Sequence, residues 1–277
     1  MGYYEQFRDA AVERGIPADE VDTFAEHLRF VIEMSSRPAS NTQVAWRNGG
    51  LPRLPAGTAW PTVGAHPLPF VASVDCAALP TVDRLPLPSD GSLLFFLEHE
   101  QDLGTGKYAE VLYVPAGVDT AVAEPPDYAD PFYCNPEIPF VGEEFELYAK
   151  VTTELPSWFD DDDEAREESE SVERVMGALP HVVELRALAN ELWPQRRGSA
   201  PGLGGYDTQP RSGISEPTLE MADYDYEEQF RLKREWVTLA SFDTADDELY
   251  VGYFLVRFDD LAAGRFDKVR SFTTFLE

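Results

Sequence analysis

FFLEHEQDLGTGKYAEVLYV, residues 95–114, returns near the other end of the chain as YFLVRFDDLAAGRFDKVRSF, residues 253–272. Laid over each other without a gap, Phe96, Leu97, Asp102, Leu103, Gly106 and Val111 fall on Phe254, Leu255, Asp260, Leu261, Gly264 and Val269. Lys107–Tyr108 falls on Arg265–Phe266, cation then aromatic. Each copy runs from an apolar stretch through a glycine to a second stretch, the pattern of strand, turn and strand. A second echo lies upstream, LPFVASVD (68–75) against WVTLASFD (236–243), and Gly49–Gly50–Leu51–Pro52 is matched by Gly204–Gly205–Tyr206. The expected fold is therefore α+β: twisted, mainly antiparallel sheets from two internally repeated strand–loop–strand units, near 44–114 and 202–277, flanked by helices.

Ahead of the repeats, residues 2–36 read as two helices. Pro17 suits a first turn, and Val21, Phe24, Leu28, Val31 and Ile32 recur at helical spacing. Residues 1–38 are thus expected as a helical flank and 39–277 as the α+β domain. His27 falls off the apolar stripe and is expected at the surface. Thr42–Trp46 is a short strand candidate. Pro52, Pro55, Pro61, Pro67 and Pro69 fix φ and remove ladder donors, which predicts an extended surface loop pinned by Trp60. Between the copies, residues 144–155 alternate charged and apolar side chains, the pattern of a half-exposed edge strand guarded by charge. Asp160–Asp163 reads as the solvated start of a helix, where carboxylates suit the positive dipole end, and lacks the glycine and bidentate glutamate of a calcium loop. Glu164–Leu179 and His181–Leu192 are predicted helices. Gln195–Pro201, with Arg196–Arg197, is expected as a flexible cationic break, and Arg211–Arg234 as an acidic insertion.

The formal charge of -29 is the strongest compositional signal. Binding nucleic acid or anionic lipid requires cations that displace counterions, so neither is expected as a partner. A basic protein is the partner such a surface would steer. Lysine occurs only at 107, 150, 233 and 268. The first residues are charged from Glu5 and show no secretory apolar region, and no run approaches the ~20 apolar residues of a membrane span. Cys76 and Cys134 form no disulfide framework. The cytoplasm is the expected compartment.

Candidate chemistry is sparse. His27, His66, His99 and His181 are scattered without ligand spacing, so no metal site and no cofactor are expected. No GxSxG elbow occurs, and Cys76 follows a buried strand, as a packed thiol would. The candidates left for acid–base work are Asp75 and Asp243, which end equivalent strands. If a pseudo-twofold axis joins those ends, one carboxylate raises the pKa of the other; the alternative is that each caps the turn after it. Trp60, Gln209 and Trp236 are the binding candidates for a cleft between the repeats.

The ordered segments GGLPRLPAGTAWP (49–61), LPFVASVD, LLFF (93–96), LGGYDTQ (203–209), WVTLASFD and DLAAGRFDKV (260–269) together resemble the YwqG-like family, over roughly Val44 to Glu277. Family members carry a Trp-Gly-Asp segment before the last strand pair, where this chain has Asp246–Tyr250. The resemblance implies a bacterial cytosolic α+β protein of unknown activity, encoded near contact-toxin and immunity genes, and it supplies no catalytic residues. The function expected is a non-catalytic protein-binding module that protects against a basic partner such as a toxin. The alternative is a small-molecule-binding protein or a hydrolytic enzyme using the cleft between the repeats.

Overall fold

A computed structural model describes residues 2–38, 43–64, 66–98, 108–124, 126, 143–160, 163–196, 200–208, 215–243 and 250–275, the side chains of Asp243 and Phe275 excepted. Ten strands form one sheet: β1 (Arg29–Ser35), β2 (Val44–Asn48), β3 (Phe70–Asp75), β4 (Ser92–Leu97), β5 (Ala109–Val114), β6 (Phe145–Glu154), β7 (Gly202–Leu203), β8 (Trp236–Asp243), β9 (Tyr250–Arg257) and β10 (Arg270–Phe275). Across the sheet the order is β5-β4-β3-β2-β6-β1-β7-β8-β9-β10, with every neighbouring pair antiparallel.

That order reads the same from either edge once β1–β5 and β6–β10 are taken as two copies. The leading strands, β1 and β6, pair with each other at the centre, and each also borders the second strand of the other copy. The duplication is therefore strand-swapped, and neither half completes its sheet alone. The sheet curls until its arms face each other: the Phe95 and Phe254 rings lie 5.1 Å apart, and Tyr113 on β5 reaches Phe266 at 6.0 Å.

The two copies share a defect as well as a topology. The β3–β4 register slips between Phe70 and Ala72, and the β8–β9 register slips between Thr238 and Ala240. Ala72 then faces Phe95, and Ala240 faces Phe254. Phe95, not Phe96, is thus the counterpart of Phe254, so the gapless alignment of the two stretches is out by one residue in this strand. Side chains alternate faces along a strand, and the one-residue difference separates an inward ring from an outward one. Further along, Phe95 faces Val111 and Phe254 faces Ser271 rather than Val269, so the second copy has gained another residue. The turn of the first copy, with Asp102, Gly106 and Lys107, lies outside the described residues.

Each Gly-Gly pair sits beside the slipped strand of its copy. Gly49 N donates to Val71 O and Gly204 N to Thr238 O, both at 2.8 Å. All four glycines have φ between +67° and +85°, the left-handed region that a β-carbon disfavours. Trp60 pins the proline-rich loop as expected: Nε1 donates to Leu68 O at 2.8 Å and its ring edge meets Phe96.

Several expectations on the helical side are corrected. Helices α1 (Tyr3–Glu13) and α2 (Ala18–His27) form, but the chain then becomes β1 rather than remaining helical to residue 36. The β-branched pair Val31–Ile32 lies in a run buried from Phe30 to Met34, which suits a strand covered on both faces. His27, expected at the surface, is 4% exposed, packed against Trp158, Phe159 and Phe230. Strand β6 is central, not an edge. Its charges are paired across the sheet instead, Glu146 to Arg47 at 3.0 Å and Lys150 to Glu33 at 2.7 Å.

The helix predicted over 164–179 is broken at Ser169 into α3 (Ala165–Glu168) and α4 (Glu170–Gly177), because the Ser169 hydroxyl caps the second by accepting from Val172 N. Helix α5 (Val182–Leu192) forms near its expected bounds. Arg196, expected in a flexible break, is half-buried, donating to Ala200 O and Ser241 Oγ beside Glu154. The acidic insertion contains α6 (Pro217–Met221) and α7 (Tyr226–Glu235), and the turn expected at Asp260–Leu261 is part of α8 (Phe258–Ala262). No described helix is long and apolar enough to cross a membrane.

Candidate functional site

The C-terminal ends of two helices, α2 and α7, converge on the start of β1. A helix end leaves carbonyls without partners inside the helix, and the aligned peptides give it partial negative charge. Side chains from β1 itself and from three other segments answer that need. Arg29 donates to Gly205 O at 2.5 Å, to Trp236 O at 3.0 Å and to Lys233 O, which closes the end of α7. Arg84 donates to Ala25 O at 3.0 Å at the end of α2. Tyr206 and Tyr4 donate through their hydroxyls to His27 O and Leu28 O, at 2.8 and 2.7 Å.

Each arginine lies flat on one of these tyrosines. The Arg29 guanidinium is 3.7 Å from the Tyr206 ring centre, with Phe258 5.2 Å away, and Arg84 is 3.8 Å from Tyr4. The rings are thereby held in place by contacts at both face and hydroxyl.

Between them opens a cleft of about 450 Å³, within the range of small-molecule sites. Tyr4, Phe30, Trp158, Tyr206 and Phe258 supply aromatic wall, and Gly204–Gly205 bring backbone close to it. A side chain at Gly205 would force its neighbours to move: a β-carbon would sit 2.1 Å from Glu154 Oε2 and 3.0 Å from Val31, at φ +85°.

Behind the wall lies a buried polar cluster. Lys233, 1% exposed, donates to Glu216 Oε2 and, at 3.3 Å, to Ser157 Oγ. Gln229 Nε2 also donates to that carboxylate, at 2.7 Å. Burial pushes the Glu216 carboxyl up and the adjacent Lys233 ammonium opposes that shift. Burial likewise raises Glu154, against the pull of Arg196 and the donated Tyr206 N–H. His27 goes the other way, lowered to about 4 by burial first and then by Arg234 and Arg29.

Among the described residues, none of the catalytic and binding candidates singled out from sequence lines this cleft. Asp75 caps the turn after β3, its carboxylate accepting from Ala77 N at 3.0 Å. Asp243 ends β8 on the other arm, opposite Val251, and Gln209 lies outside the described residues. Trp60 belongs to the outer face of the first arm. Trp236 is buried on the outer face of the second, with Arg257 and Arg270 about 6 Å from its ring centre, and only its carbonyl bears on the cleft, through Arg29. Cys76 is buried as expected, and burial raises its thiol. Among the described residues, no group of three or more His, Cys, Asp or Glu side chains is placed to hold a metal ion.

Sequence reading missed Arg29, Arg84, Lys233 and Trp158. One signal was present in the Gly204–Gly205–Tyr206 motif, whose tyrosine forms part of the wall.

Fold and cleft together define a duplicated, strand-swapped α+β domain with an aromatic and arginine-lined pocket at one end of its first strand. Residues 47–273 match the family described as a domain of unknown function (DUF1963), to which YwqG-like proteins belong. The chain belongs to that family. No curated protein matches it.

Proposed function

We propose that this domain is a binding protein that takes a small molecule into the cleft between α2, α7 and Gly204–Tyr206. One observation carries the reading: five aromatic side chains and four cationic ones line a preformed space of about 450 Å³. The described lining includes no serine, threonine or cysteine that would serve as a nucleophile, which favours recognition over covalent catalysis. The site draws on both copies, β1 from the first and Gly204–Tyr206 from the second, so it is a cleft where the two repeats meet.

A thermal-shift screen of metabolites against the full chain tests this. A ligand at a hundredfold its Kd stabilises the native state by about 2.7 kcal/mol, a readable rise in Tm. The rise is expected to vanish in Tyr206→Ala. If no compound in a broad panel moves Tm, or if the shift persists in that variant, the cleft is not the binding site.

A second reading is supported by the charge of -29: docking of a basic protein, such as a toxin neutralised by this chain. The cleft need not take part. Its signature is an association that weakens steeply between 0.05 and 0.5 M salt, over which the Debye length falls from roughly 14 to 4 Å. A complex indifferent to salt would rule it out.

A further inference from the structure

We infer that the ligand of this cleft is a flat ring system bearing a carboxylate or a phosphate; the inference rests on the reading of the cleft as a ligand site and adds the chemistry of what enters. Arg29 is committed, three of its N–H···O bonds going to carbonyls at the end of α7 and the Gly205 turn. Lys233 is committed to Glu216 and Ser157. Arg84 uses one terminal nitrogen on Ala25 O and rests one face on Tyr4, and the residue is exposed on the side away from them. Arg234 is also exposed. Neither Arg84 nor Arg234 has a carboxylate within salt-bridge distance among the described residues, in a chain with 51 acidic residues to 22 basic ones. Their guanidinium groups have only donors to offer, so what they meet must bring acceptors.

Two further features point to the same place. Arg84 has φ +64°, a left-handed conformation that costs a residue with a β-carbon about 1 kcal/mol and persists only where the surroundings impose it. That conformation accompanies a guanidinium laid flat on Tyr4 at 3.8 Å, at the edge of the cleft. On the inner wall, Trp158 is 1% exposed and its indole N–H has no acceptor among the described residues. Guanidinium groups recognise carboxylate and phosphate in a fork geometry, whereas fixed aromatic faces favour a flat partner. Glu26 and Asp83 also line the cleft, Asp83 accepting from Tyr4 N at 3.3 Å, so the acidic end of the ligand has to meet the guanidinium groups of Arg84 and Arg234 rather than these carboxylates.

The test uses matched probes on the full chain in low salt, followed by Trp fluorescence and calorimetry. Naphthalene-2-carboxylate is set against naphthalene-2-methanol, adenosine 5′-monophosphate against adenosine, and acetate and inorganic phosphate serve as ringless controls. The expected result is that the acidic member of at least one pair binds about tenfold or more tighter than its neutral partner. Whichever pair responds distinguishes carboxylate from phosphate, and the ringless anions bind far more weakly. Arg84→Met and Arg234→Gln each reduce that preference about tenfold. Arg234→Gln leaves every described packing contact in place, so a folding defect in the first variant does not decide the outcome. Equal binding of acidic and neutral members overturns this inference and leaves the ligand-site reading standing. Binding of ringless anions alone overturns the requirement for a ring. No binding by any probe, together with a silent metabolite screen, removes both.

Discussion

Acidification should destabilise this protein through one residue, His27, which a surface position would not allow. The imidazole is walled in by Trp158, Phe159 and Phe230, and burial with Arg234 and Arg29 nearby lowers its pKa from 6.5 to about 4. The unfolded chain therefore takes up a proton near pH 6.5 that the native state refuses until about pH 4. A group depressed in this way contributes stability above its unfolded pKa, and that contribution is lost as pH falls towards the folded value. The full gap corresponds to about 3 kcal/mol, of which about 2 kcal/mol is lost between pH 7 and pH 5. Other groups act in the opposite direction over the same window. Glu216 and Glu154 are raised by burial and gain stability on protonation, and the net negative charge relaxes. The measurement must therefore be a difference. Urea unfolding of the parent and of His27→Leu at pH 7, 6 and 5 should show the parent losing about 2 kcal/mol relative to the variant. A difference that stays flat with pH, or a His27 ring that titrates near 6.5 by NMR, would refute the buried assignment.

Three other substitutions or conditions probe the same region. Gly205→Ala places a β-carbon 2.1 Å from Glu154 Oε2 at φ +85°, so a loss of about 2–4 kcal/mol is expected by chemical denaturation; a neutral result would mean that the turn is not built as described. Lys233→Met strands the Glu216 carboxylate and should cost about 3–5 kcal/mol at pH 7. Because the Glu216 pKa is then raised further above its unfolded value, stability returns as pH falls, and Glu216→Gln in the same chain restores much of it; a variant whose loss does not depend on pH contradicts the pairing. Raising salt from 0.05 to 0.5 M should increase the Tm of the parent by screening self-repulsion, and a decrease would show that paired charges outweigh the net excess.

The frame was legible because it is repeated. Phe95–Val114 and Tyr253–Phe272, with LPFVASVD and WVTLASFD ahead of them, exposed three strands of each copy by comparison within one chain. Of the leading strands, β1 was read as helix, and β6 was read as a strand but placed at an edge. Phe30–Met34 is apolar at every position but Glu33, and a run buried on both faces carries no period to distinguish strand from helix. Residues 145–154 alternate cleanly and read as a strand, but its exposed charges pair with Arg47 and Glu33 on neighbouring strands, and alternation alone does not tell such a central strand from an edge. The site was harder still. Arg29, Arg84, Tyr4 and Tyr206 act at carbonyls distant in sequence, and no spacing rule links residue 29 to residue 233. His27 looked solvated because its neighbours in sequence are polar on one side, while its neighbours in space arrive from residues 158, 159 and 230.

The cleft lies where the two copies stop resembling each other, and that has a mechanical cause. Both copies offer a positive-φ glycine pair beside a slipped strand, so the repeat alone would build two equivalent hollows. In the first copy the chain from Gly50 to β3 is the proline segment, which turns outward and spends its one tryptophan on Phe96. A carboxylate backs the second glycine in both copies, Glu144 at Gly50 and Glu154 at Gly205, and the hollow beside the first pair, about 640 Å³, is lined by Gly49, Leu51, Asp75 and Glu144 without the stacked arginines of the second. In the second copy the chain from Gly205 to β8 is α6 and α7, and the end of α7 arrives opposite the end of α2 with carbonyls to satisfy. Arginines drawn in to cap those ends bring cation, ring and open backbone to one point. The aromatic cleft is therefore built by the insertions rather than by residues matched between the copies, since a symmetric frame can hold a site without supplying its chemistry. Replacing 206–235 with the 51–69 segment should keep the ten-stranded order and abolish the cleft, a result visible as native-like near-ultraviolet dichroism without ligand-induced stabilisation.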